Sequence, residues 1–191
     1  MTFLTLEDSA RVAGNCRWLE ARLFEVLGSW VAAEPDPPVK ALWSTASLRH
    51  AANAAGWRER QPRVAHLDPD ALTVASGPGV SSLVDALREM ADPGQTVARL
   101  AAVTRVVQPR LLTTYRARAE RAHPLADGPT VRWTAVLLAE GEAARARAGA
   151  LLDARLRSAA DVDVATATEQ ELARLLPEEG GMIGLTGHAE V

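Results

Sequence analysis

Apolar residues in this chain recur at three- and four-residue spacing and almost never alternate one on, one off. That spacing gathers side chains on one face of an α-helix, whereas a half-buried strand needs a period of two. Alanine, the strongest helix former, supplies about a fifth of the residues, and Val, Ile, Phe and Tyr rarely stand in alternating runs. The chain reads as all-α.

The stripes fix where the helices lie. A first helix is expected from near Leu6 to about Ala32, with Glu7, Asp8 and Ser9 suited to the unpaired N–H groups of its first turn. Its inward stripe is Ala13, Cys16, Leu23, Leu27 and Trp30, flanked by Leu19 and Val26. Pro35, Pro37 and Pro38 stop it, because proline lacks a donor and pushes its predecessor out of helical geometry. A second helix opens at Pro37 or Pro38, runs to about Arg60 and turns Val39, Trp43, Ala46, His50, Asn53 and Trp57 to one side.

Residues 63–79 read as loop, followed by a short helix over Ser81–Met90. A third long helix is expected over about Gly94–His123, with Val97, Leu100, Thr104, Val107, Leu111 and Tyr115 inward and a kink at Pro109. A fourth follows from about Thr130 to Ser158, its stripe being Trp133, Leu137, Glu140, Ala144, Ala148 and Leu151. Residues 166–176 form a small terminal helix in this reading, and the glycine-containing end from Gly180 to Val191 is mobile. The sum is an antiparallel four-helix bundle over 1–160, with a short extra helix in its middle connection, then a short helix and flexible tail over 161–191.

Composition narrows the function. A net charge of −3 argues against a nucleic-acid partner held by a basic field. The single cysteine, Cys16, excludes an internal disulfide and a multi-cysteine zinc site, and its apolar face makes it a buried, inert thiol. No apolar stretch approaches the ~18 residues of a membrane span, and residues 1–15 carry no secretory leader, so a cytoplasmic protein is expected. Arg145, Arg147, Arg155 and Arg157 read as a solvated face, and His66, His123 and His188 lack the spacing of a hydrolase triad.

Three polar residues interrupt the apolar stripes: Glu20 on the first helix, His50 on the second and Glu140 on the fourth. A carboxylate buried without a partner costs several kcal/mol or raises its own pKa, so each position needs a reason. Asn53 lies one turn beyond His50, and Tyr115 enters from the third helix. If the helices converge, these groups meet in the core.

With its long middle connection, this placement resembles the ferritin-like superfamily of di-metal carboxylate bundles over about residues 9–158. The resemblance implies a metal centre of which only Glu20, His50 and Glu140 remain as ligands. Ser47 stands where a Glu should precede His50, Ala143 where a His should follow Glu140, and the third helix has no acid between Asp92 and Glu120. Two carboxylates cannot neutralise two divalent cations in a dry core, so the site is degenerate.

Three functions follow as expectations. The leading one is a binding or interaction protein without a metal, taking a small molecule or a protein partner through a core lined by Trp43, Asn53, Trp57 and Trp133. The second is an oxidase- or oxygenase-type enzyme holding a single Fe or Mn on Glu20, His50 and Glu140, with Tyr115 as proton donor. The third is metal-free acid–base catalysis with His50 as base. A Glu–His network that merely satisfies itself and tryptophans that merely fill an alanine-rich core are the plainer alternatives. A homodimer would follow from an apolar stripe left uncovered.

Overall fold

The computed structural model describes residues 3–63, 65–123, 125–176 and 182–183. Among them there is no strand. Helix α1 spans Leu6–Ala33, α2 Pro37–Arg60 and α3 Pro78–Glu89. A 3-10 turn at Pro93–Gln95 leads into α4 (Thr96–Ala101), a π-helical segment (Ala102–Val107) and α5 (Gln108–Glu120). Helices α6 (Gly128–Asp153) and α7 (Ala159–Ala173) follow.

Local chemistry sets the boundaries. The Thr5 side chain accepts from the Asp8 N–H to start α1, and Asp36 accepts from the Val39 N–H to start α2 with Pro37 in its first turn. Only three residues separate the two helices, so α1 lies along α2. Helix α5 likewise lies along α6, which also touches α2, and α7 packs on α4 and the π segment.

The distortion expected at Pro109 is taken up one turn earlier. The Gln108 N–H bonds to the Val103 carbonyl, five residues back, where an α-helix would use Thr104. The freed Thr104 carbonyl accepts from Arg145 Nε of α6 at 3.3 Å. Junction residues Ala102, Val107 and Gln108 keep right-handed helical dihedrals, so 96–120 runs as one rod.

Two boundaries differ most from expectation. Helix α6 ends at Asp153 rather than Ser158, and α7 begins at Ala159 rather than 166, so position 160/161 falls inside α7. The reason is Ser158, whose hydroxyl accepts from the Asp161 N–H while Asp161 reaches back to the Ser158 N–H. That reciprocal cap satisfies two orphan donors and starts a helix there. Nor is Arg155 solvated: its guanidinium holds Asp36 Oδ2 with Nε at 2.8 Å and Nη2 at 2.5 Å. The end expected to be mobile, His188 included, lies outside the described residues apart from Met182 and Ile183. Those two are buried.

The expected stripes of α1 and α2 are all in the core, and α3 buries Val80, Leu83, Val84 and Leu87. Helix α6 keeps Leu137, Ala144 and Ala148 of its expected stripe inward, joined by Thr134, Gly141 and Leu152, while Trp133 and Leu151 are half-buried and Glu140 is exposed.

Candidate functional site

Glu20 is wholly buried and accepts hydrogen bonds from two other helices. His50 Nδ1–H donates to Oε2 at 2.5 Å, and Asn53 Nδ2 reaches Oε1 and Oε2 at 3.3 and 3.4 Å. The Tyr115 hydroxyl of α5 donates to Oε1. An ionised carboxylate can only accept, so this cradle of three donors replaces the water it lost. His50 and Asn53 reach one carboxylate because three residues on α2 place them on one face.

The charge of Glu20 shapes its neighbours. Burial first, and then the carboxylate beside it, hold the Tyr115 phenol well above its ordinary range. The same two causes push the Cys16 thiol up, with Arg118 pulling weakly the other way. Cys16 is therefore a protonated core residue rather than a nucleophile. Trp57 lies against the Tyr115 ring, with centroids 5.8 Å apart.

Glu140 does not join this centre. It stands on the outer side of α6, one residue (about 100° of helix) out of phase with Gly141, which takes the inward position. Among the described residues, no group of three or more His, Cys, Asp or Glu is placed to hold a metal ion. Of the expected ligands only Glu20 and His50 meet, and the lone pairs of Glu20 are already engaged by protein donors. A single Fe or Mn does not fit this donor set.

The space beside His50 is lined by no tryptophan among the described residues. Trp43 is buried away from His50 and gives its N–H to Glu34 Oε2 at 3.2 Å, while packing edge-on against Trp30. Trp133 lies over Gly56 of α2, with the Arg60 guanidinium 4.5 Å above its ring. These rings fill the core.

Sequence reasoning passed over several residues. Arg49, Gln108 and Gly141 line a cavity of about 10 Å³ together with His50, Asn53 and Tyr115. Burial lowers the Arg49 guanidinium's pKa, and the charge of Glu20 opposes that. A second buried polar cluster joins Glu34 to Arg99, Trp43 and Thr96. Arg49 had one available signal, its place beside His50. Glu34, sitting within a proline-rich breaker, had none.

A larger opening lies elsewhere. A groove of about 340 Å³ runs between the π segment and α6, lined by Thr104, Arg105, Glu142, Arg145, Gly149 and Asp153 among others. Arg145 and Asp153 sit on one face of α6 with Gly149 between them, where a Cβ would meet only open space. Comparison of the chain with protein-family models, with curated proteins and with solved structures finds no match.

Proposed function

We propose that this chain is a binding protein built on a degenerate ferritin-like scaffold, an antiparallel four-helix bundle whose core no longer handles metal. The observation that carries this reading is the separation of two features. The Glu20 carboxylate is buried and met by protein donors, while a groove of small-molecule size lies away from it, against the π segment. A volume of about 340 Å³ suits a small metabolite, and the π segment is a distortion often found beside binding sites. Arg105 and Arg145 bring positive charge and Glu142 and Asp153 negative, Arg105 and Glu142 also pairing with Glu169 and Arg116, so the groove suits a small polar ligand that carries an anionic group together with a donor. No described helix is long and apolar enough to cross a membrane. A cytoplasmic protein with no nucleic-acid partner is consistent with its net charge of −3.

Calorimetric titration with glutamate, succinate and inorganic phosphate tests the groove. At least one should bind saturably and weaken about tenfold in Arg105→Ala, as befits the loss of one charge-assisted contact. No saturable binding of any of the three overturns the reading. Elemental analysis of the purified protein tests the other half: near-stoichiometric Fe or Mn would restore the metal-enzyme alternative.

One observation favours a second reading, metal-free acid–base chemistry at His50. Its Nδ1 is fixed by a carboxylate and its Nε2 has no partner among the described residues, which is how an imidazole base is oriented.

A further inference from the structure

His50 Nε2 is buried and unpartnered among the described residues, although the other ring nitrogen is held at 2.5 Å by Glu20. A buried ring nitrogen in that state has lost its bond to water and gained nothing, so it calls for a partner from outside the chain. His50 lines the cavity of about 10 Å³, which is room for one species about the size of a water molecule.

The polar lining of that cavity is rich in donors. It comprises Arg49, Asn53, Gln108 and Tyr115 beside His50. The carboxylate that would balance them is already engaged by His50, Asn53 and Tyr115. Arg49 is half-buried and forms no ion pair among the described residues; Glu140 and Arg147 of α6 act on it only at longer range. Leu111, Leu112 and Leu137 supply the dry remainder of the wall.

We propose that this cavity binds one small monovalent anion of halide size, held between His50 Nε2–H and the Arg49 guanidinium. Because Nδ1–H already donates to Glu20, Nε2 can donate only when the ring is the imidazolium. With both ring N–H groups engaged, the charges of Glu20 and the anion balance those of His50 and Arg49. The other titratable and charged groups around this centre are Cys16 on α1, Tyr115 and Arg118 on α5, and Glu140 and Arg147 on α6. The site is separate from the groove at the π segment, so either assignment can fail without the other.

Gly141 provides a variant that leaves the charges untouched. A Cβ there would meet Leu112 Cδ2 at 2.8 Å and lie 3.8 Å from Gln108 Oε1, both groups belonging to the cavity wall. Gly141→Ala should thus push the flexible end of Leu112 into the space the anion needs.

The deciding experiment is anomalous diffraction from crystals soaked in sodium bromide, paired with thermal unfolding in sodium chloride against sodium gluconate at equal ionic strength. One bromide peak should appear in contact with both His50 Nε2 and Arg49. Chloride should raise Tm saturably above the gluconate value, with the increment lost in Arg49→Gln and reduced in Gly141→Ala. Three results overturn the proposal: a water and no bromide beside His50 Nε2, identical melting in the two salts, or an undiminished chloride increment in both variants.

Discussion

Glu34 Oε2 and Arg99 Nη1 form an ion pair at 3.3 Å with both side chains wholly withdrawn from water. Each is also hydrogen-bonded elsewhere. Arg99 donates to the carbonyls of Met90 and Asp92 at 2.8 and 2.6 Å, and Glu34 accepts from Thr96, Trp43 and the Asp36 N–H. The cluster therefore pins the α1–α2 turn to the start of α4. Desolvation offsets most of the Coulomb gain of such a pair, yet removing one partner strands the other. Arg99→Met should cost about 3–5 kcal/mol in urea unfolding. A loss no larger than that of a surface arginine would contradict this account.

Tyr115 supplies the Glu20 donor that comes from farthest along the chain. Tyr115→Phe should lower stability by roughly 1.5–3 kcal/mol, the range for a hydrogen bond to a charged group. Helix content should stay unchanged, because the ring still packs on Trp57. Denaturant midpoints together with far-ultraviolet circular dichroism would show this.

High pH should unfold the protein through two protonated core groups. The Tyr115 phenol and the Cys16 thiol are both held above their ordinary values of 10.0 and 9.0, burial being the larger cause for each. Above those values the unfolded chain has released protons that the fold retains. Stability is therefore full below them and falls as pH rises further. Because the chain has one tyrosine, absorbance at the phenolate band reads it directly. Phenolate should appear together with loss of helix and not before it, and Cys16 should resist thiol reagents until the same point.

Gly56 is where α2 admits the Trp133 ring. An added Cβ would lie 2.3 Å from Trp133 Cζ2, well inside contact distance. Gly56→Ala should therefore destabilise by about 1–3 kcal/mol despite alanine's better helix propensity. In a double-mutant cycle, Trp133→Leu should recover much of that loss. Additive losses would mean the ring is not what the glycine accommodates.

Helices α1 to α3 were legible because strong signals coincide there: bulky apolar residues in phase, prolines at the breaks, and capping side chains such as Asp36. Helix α6 was harder. Its inward face carries Gly141, Ala144 and Ala148, which differ little in bulk from the outward alanines, so Leu137, Ala144 and Ala148 were placed inward while Glu140 was taken for its neighbour Gly141. The break after Asp153 has neither proline nor glycine, though Ser158 followed by Asp161 was a readable start for α7. Glu20, His50, Asn53 and Tyr115 were found because polar residues on strongly apolar stripes stand out. Arg49 and Arg99 did not stand out, since arginine occurs throughout this chain and a single arginine carries little signal.

The π segment amounts to one residue more than a regular helix would use between the same two ends. Deleting a single residue from 102–107 would let the backbone close into ordinary turns and would look harmless locally. Because the two ends stay where they are, Tyr115 would go on facing Glu20; what would be lost is the Thr104 carbonyl that the wide turn frees for Arg145. The rod's apparent flaw thus serves its neighbour α6, at no cost to the rod's own phase.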